Sequence, residues 1–242
     1  VEFLSKAKIK WVKSLHHKKT RDVEKCFIVE GEKMVKEGLE YFSDYLLHLF
    51  VLSTSFEDVP KEFLEQTLVV NSKELEQLSE LKTPNKFVAI FRKPAQVEYN
   101  ENFALVLDGI QDPGNMGTLL RLADWFGVET IICSTDTVDI YNPKVVQASM
   151  GAIFRIDVIY TNLLSFLENT KQPKYGALLN GQPYKSVSYE KNGLLIMGNE
   201  GNGIRPEIES LIDYKVTIPR FGNAESLNVG TATAILLAEI IH

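Results

Sequence analysis

From Phe103 onward the chain alternates short, unbroken runs of Val, Ile and Leu with helical stretches, and this constrains the fold more than any other feature. The strand-like runs fall at 103–107, 130–133, 154–159, 175–179, 193–197 and 214–218. Helical stretches at 117–126, 143–150, 161–169, 205–212 and 226–241 separate or follow them. Strands that are apolar at nearly every position have both faces covered, so the pattern predicts an α/β domain with a parallel sheet between helices. Ligands of such sheets sit beyond the carboxyl ends of the strands. Attention therefore falls on the loops after Leu107, Met197 and Ile218, all rich in Gly, Asn and charged residues.

The first loop and its helix, 107–127, read LDGIQDPGNMGTLLRLADWFG. Pro113-Gly114-Asn115 is a turn signal that places Asn115 just before the helix. Arg121 lies too far inside that helix to be a cap, and a surface pairing with Asp124 is its plain alternative. The second loop, 197–204, reads MGNEGNGI and carries Glu200 among three glycines, which suit close backbone approach or positive φ. It is neither a GxxxxGK[ST] phosphate loop nor a GxGxxG fingerprint, and a turn without a ligand is its alternative. In the third, 218–240, Ile218-Pro219 and Ser226-Leu227-Asn228-Val229 precede a helix that is apolar or small almost all round. Such a helix belongs in a core or an interface. Ser226 and Asn228 at its entrance either cap it or serve a site.

The first half reads as a smaller α/β unit. Its pattern predicts helix 4–20, strand 26–29, helix 31–41, strands 46–52 and 67–70, helix 72–78 with Ser72 as N-cap, and strand 87–91. The polar stretch 92–102, with Pro94, marks its end, which predicts domains at 1–95 and 96–242.

Charge is divided unevenly between the two ends. Residues 1–21 carry seven Lys/Arg against Glu2 alone, a charge of +6, and the remainder carries −12. Lys10, Lys13, Lys18, Lys19 and Arg21 are thus candidates to neutralise RNA phosphates, although a charge run also suits a solvated helix face. His16, His17 and His48 read as phosphate-contacting or surface residues, since no metal-like grouping surrounds them. Cys26 and Cys133 are far apart and outside any CxxC spacing, so they read as free thiols of a reducing cytoplasm. No apolar run is long enough for a membrane span, and the basic start lacks the features of a secretory signal.

Taken together, Asn115-x5-Arg121, Gly198-Asn199-Glu200-Gly201 and Ile218-Pro219 with Ser226-Leu227-Asn228-Val229 closely resemble the three signature motifs of the SpoU (TrmH-type) branch of the SPOUT RNA methyltransferases. The first half, through Phe27-Ile28-Val29-Glu30-Gly31 and the helix after it, is similar to the substrate-binding domain often attached to these enzymes. The resemblance implies a SPOUT domain tied in a trefoil knot, an L30e-like RNA-binding domain before it, and a homodimer with its active site at the subunit interface. It also implies transfer of a methyl group from S-adenosylmethionine to a ribose 2′-hydroxyl of structured RNA. The extra first domain and its basic start favour rRNA over tRNA, and no metal-like grouping of residues is present in the sequence. Gly198, Ile218 and Leu227 would hold the methyl donor. Arg121 would act on the 2′-hydroxyl, as general base or as phosphate clamp, with Asn115, Glu200, Ser226 and Asn228 orienting it and the ribose.

Two other readings compete. A non-catalytic RNA-binding or ribosome-assembly protein could keep the fold, but loss of Arg121, Asn115 or Glu200 would favour it and none is lost. An ordinary dinucleotide-binding enzyme would need the missing glycine fingerprint and acidic ribose ligand.

Overall fold

The computed structural model describes residues 4–81 and 83–241. The chain divides into two compact units, one running through Ala95 and including Tyr141–Phe154, the other made of Gln96–Ile140 and the chain from Arg155 onward.

The first unit opens with α1 (Lys6–Ser14) and α2 (Lys18–Glu24), where the sequence predicts one helix over 4–20. The break has a physical cause. Arg21 folds back, and its guanidinium donates to the carbonyls of Leu15 and His16 at 3.0 and 2.8 Å, satisfying groups that a continuing helix would have used. There follow β1 (Cys26–Glu30), α3 (Glu32–Tyr41), β2 (Leu46–Leu52), β3 (Thr67–Val70), α4 (Ser72–Leu78) and β4 (Phe87–Arg92). They form a mixed sheet in the order β1-β4-β2-β3, antiparallel except for the β2–β3 pair. Its core joins Val12 and Leu15 to Cys26, Ile28, Phe50, Leu75, Leu78 and Ile90. Helix α4 is capped by Asn71, one residue before the predicted Ser72. Asn71 and Glu74 exchange side-chain to backbone hydrogen bonds in a full capping box.

The second unit is a six-stranded, wholly parallel sheet, as the continuous apolar runs predict. It begins with β5 (Ala104–Asp108), α5 (Pro113–Phe126) and β6 (Thr130–Ser134). The chain between β6 and β7 (Asp157–Thr161) includes α6 (Pro143–Ser149), which belongs to the first unit. Then come α7 (Leu163–Asn169), β8 (Lys174–Pro183), β9 (Leu194–Gly198), the short α8 (Pro206–Glu209), β10 (Tyr214–Thr217) and α9 (Val229–Ile240). The strand order is β10-β8-β9-β5-β6-β7. Ala104, Val106, Ile132, Leu194 and Ile196 pack on Leu163 and Leu167 of α7 and Ile208 of α8. The alternate side chains point the other way, to the face covered by α5 and α9, which also pack on each other.

Several boundaries depart from the sequence reading. Helix α5 starts at Pro113, four residues before the predicted 117, because Asp112 caps it and proline suits the first turn. Asn115 is therefore inside the first turn and not ahead of it. The predicted strand 154–159 is β7, shifted toward Thr161 behind a tight turn at Ala152–Phe154. Helix α9 begins at Val229, three residues after the predicted start. Both cysteines are buried free thiols.

Candidate active site

Three loops at the carboxyl ends of β5, β9 and β10 supply the candidate residues. Asn115 is held in the first turn of α5, where its backbone N–H donates to Asp112 Oδ1 at 2.8 Å. Its side-chain Nδ2 donates to Glu200 Oε1 at 2.6 Å, and its Oδ1 accepts from Asn228 Nδ2 at 2.9 Å. Asn228 is the N-cap of α9, with Oδ1 accepting from the N–H groups of Gly230 and Thr231 at 2.9 and 3.3 Å. A continuous chain of hydrogen bonds thus runs from the Glu200 carboxylate through two amides to the start of a helix. Each amide has its oxygen and nitrogen committed to different partners, so its orientation is determined by the network.

Arg121 lies about two turns inside α5 and is exposed. Among the described residues nothing hydrogen-bonds or ion-pairs with it. The alternative pairing with Asp124 is not made, because Asp124 takes the guanidinium of Arg155 at 2.8 Å. Ser226 is exposed and lies outside the hydrogen-bonded chain. The structure therefore joins Asn115, Glu200 and Asn228 and leaves Arg121 and Ser226 unattached to them.

Gly198 ends β9, Ile218 follows β10 half-buried, and Leu227 stands exposed before α9. The glycine at 198 has a cause within the protein. A Cβ there would lie 2.2 Å from the carbonyl carbon of Gly203 and 2.3 Å from the nitrogen of Ile204, so the loop could not fold back on itself. Ile218 and Leu227 offer apolar side chains, and the surrounding loops offer backbone groups, without a basic phosphate-binding loop. That donor set fits an adenosine-bearing, phosphate-free sulfonium. Among the described residues no cluster of His, Cys, Asp and Glu could hold a metal ion.

Sequence reasoning gave no role to three residues that hold this site, although Asn199 lies within the second motif. Asn199 donates from Nδ2 to the carbonyl of Gly109 at 2.7 Å, tying the glycine-rich loop to the end of β5. Asp108, the last residue of β5, has a fully shielded side chain, and Arg205 binds it through its backbone N–H at 2.8 Å and through Nε at 2.7 Å. The available signal was an acidic residue directly before Gly109 at the end of an apolar strand, but its partner lies 97 residues away.

In the first unit, Lys10, Lys13 and Lys19 are exposed, as expected of phosphate contacts. Lys18 is also exposed but pairs with Asp22 at 2.6 Å. Arg21 is a correction. It is only 2% exposed and is spent on the carbonyls between α1 and α2, so its guanidinium is a structural group and not a surface cation. The histidines also need revision. His16 is nearly buried, 3.3 Å from the Glu80 carboxylate, and His48 is half-buried against Trp11 and Lys8, which leaves His17 as the exposed one.

Known proteins resemble the chain in sequence and in fold. Residues 102–238 match the SpoU rRNA Methylase family, and residues 6–89 match the MRM3-like substrate binding domain. A curated relative, the 23S rRNA (guanosine(2553)-2'-O)-methyltransferase RlmP of Bacillus subtilis, is 32% identical over 98% of this chain and 97% of its own length. A TrmH-family protein from Porphyromonas gingivalis has a solved structure with a TM-score of 0.90, 37% identity and 98% coverage of both chains. An AdoMet-bound rRNA methyltransferase from Sinorhizobium meliloti superposes with a TM-score of 0.86 at 29% identity, covering 99% of this chain and 96% of that one.

Proposed function

The chain belongs to the SpoU rRNA methylase family, and from that premise we propose that it transfers a methyl group from S-adenosylmethionine to a ribose 2′-hydroxyl of rRNA. The observation that carries the reading is the chain Glu200–Asn115–Asn228, which unites the three motif loops in one hydrogen-bonded unit. The named activity of the Bacillus subtilis relative, aligned over nearly its whole length, supports rRNA over tRNA.

The donor supplies an electrophilic methyl on a sulfonium, so little covalent chemistry falls to the protein. Gly198, Ile218 and Leu227 would hold it. The protein's task is to bring the 2′-oxygen into line, and stabilise its developing negative charge, while the hydroxyl proton leaves to water. Arginine is essentially always protonated in proteins. Arg121, exposed and without a partner among the described residues, is therefore assigned as the cation that clamps the adjacent phosphate and stabilises the alkoxide, in preference to a general base. Asn115, Glu200 and Asn228 set the walls against which the ribose is oriented, and Ser226 adds a hydroxyl beside Leu227. Lys10, Lys13, Lys18 and Lys19 would supply non-specific attraction to the RNA backbone.

The proposal includes the trefoil knot and a homodimer. Helix α9 is apolar nearly all round, yet Ala238 and Thr231 are exposed and Ile235 is only half-buried. In the same unit Trp125 and Phe221 are 85% and 99% exposed. Large exposed apolar side chains of this kind suit a subunit interface. No described helix is long and apolar enough to cross a membrane, and action in the cytoplasm is part of the proposal.

The test is incubation with rRNA and methyl-labelled donor, followed by alkaline hydrolysis. Label recovered in alkali-resistant dinucleotides supports ribose methylation. Label recovered in mononucleotides, or RNA binding with no transfer to naked or assembling rRNA, would reject it.

A further inference from the structure

We infer that Asp108 and Arg205 form a clamp that sets the position of the glycine-rich loop, and that both are positioning residues acting on methyl transfer through Glu200. The inference rests on the function proposed above but stands on separate geometry. Asp108 and Gly198 are direct partners across the β5–β9 ladder. The loop leaves the sheet at Gly198 and returns at Arg205, whose backbone N–H and guanidinium both bind the Asp108 carboxylate. Both feet of the loop therefore lie at one residue, Gly198 beside Asp108 in the ladder and Arg205 bound to its carboxylate, and Glu200 sits between them in sequence.

The loop is braced internally as well. Asn199 and Gly203 exchange backbone hydrogen bonds at 3.0 and 2.9 Å. Asn199 Oδ1 accepts from the N–H groups of Gly201 and Asn202 at 2.8 and 3.3 Å. These bonds hold the shape of the loop, and Asn199 Nδ2 and the Asp108–Arg205 clamp tie that shape to the end of β5. Arg205 stands at the N-cap of α8 yet makes no cap with its side chain, which is committed to Asp108. Its guanidinium also lies 3.7 Å from the exposed Asp136 carboxylate. A planar fork meeting a shielded carboxylate restricts direction as well as distance, which lysine cannot reproduce. Sub-ångström displacement of a positioning group is enough to slow a reaction that depends on alignment.

The test uses Arg205→Lys in the full chain, with Asp108→Asn carrying the same measurements should the first fail to fold. Hydrogen exchange at the amides of Gly201, Asn202 and Gly203 is the first readout, because it needs neither RNA nor donor. The clamp predicts that their exchange rises about tenfold while amides in β5 and β6 keep their protection. The second readout is kcat in a cycle with Glu200→Gln, where the clamp predicts that the two losses fail to multiply. Unchanged loop exchange, exchange that rises throughout the unit, or losses that multiply would overturn it. If the wild-type protein transfers no methyl group, the function proposed above fails, while the exchange result still decides the clamp.

Discussion

Asn115 Nδ2 donates to Glu200 Oε1 across 2.6 Å, joining residues 85 positions apart in sequence. One helps start a helix after β5 and the other rides a glycine-rich loop after β9, strands that are neighbours in the sheet. The pairing makes the orientation of the amide a property of the site, since its oxygen is then left to face Asn228.

Asn115→Asp removes the donor and sets a second carboxylate against Glu200. Methyl transfer at saturating RNA should fall about 10²-fold, comparable to loss of one preorganised donor. The thermal midpoint should change little, because the contact is exposed and surface substitutions stay within roughly 0.5 kcal/mol. Lowering the pH should return part of the activity, since one of two adjacent carboxylates then takes up a proton. Steady-state kinetics from pH 5 to 8 check this, and a flat loss would contradict the account.

Asn228 has two separable duties. Asn228→Asp keeps the oxygen that caps α9 but loses the donor to Asn115, so stability should hold while transfer drops. Asn228→Ala loses both and should also cost about 1 kcal/mol of folding stability. Denaturant midpoints measured beside transfer rates separate the two effects.

Arg21 and the surface lysines of the first unit should behave oppositely. Arg21→Ala removes charge-assisted bonds to two carbonyls and should destabilise by about 2–3 kcal/mol. Lys10→Ala and Lys13→Ala should leave the melting temperature unchanged and weaken RNA binding. Each should reduce the salt dependence of that binding by about one unit of slope. RNA titrations at several salt concentrations provide the check.

Asp22 gives a pH signature. Hydrogen bonds from Lys18 and Lys93 hold its carboxyl down at about 2 against an ordinary 3.8. Its contribution to stability is present above pH 3.8 and disappears as pH falls through about 2. Because Asp22 and Lys18 are partly exposed, the contribution should be at most about 1 kcal/mol. Asp22→Asn should therefore be less stable than wild type at neutral pH and equal to it near pH 2. Urea unfolding across that range measures the difference.

Much of this was legible in the sequence because its signals are local. Strands β2 and β3 and helix α4 have the boundaries that their apolar runs predict, and six continuous runs correctly indicated a parallel sheet. Asn115, Glu200 and Asn228 stood out as polar residues at strand ends, where a parallel sheet binds its ligands. The failures share a different cause. Pro113-Gly114 reads as a turn, yet Asp112 makes the same residues a helix start. Arg21 sits in a run of cations, and nothing local says that its partners are carbonyls five and six residues back. The Asp108–Arg205 pair exists only because β5 and β9 are neighbours, a fact of topology and not of spacing.

In the proposed reaction Arg121 acts on the 2′-oxygen and its neighbouring phosphate, and not on the structure or the donor. The most direct measurement is calorimetric titration of S-adenosylmethionine into wild-type protein and Arg121→Ala, followed by single-turnover transfer to rRNA with the same samples. Donor affinity should be equal in the two, and transfer should fall about 10³-fold or more in the variant. Transfer that survives the substitution, or donor binding that vanishes with it, would rule out this role for Arg121.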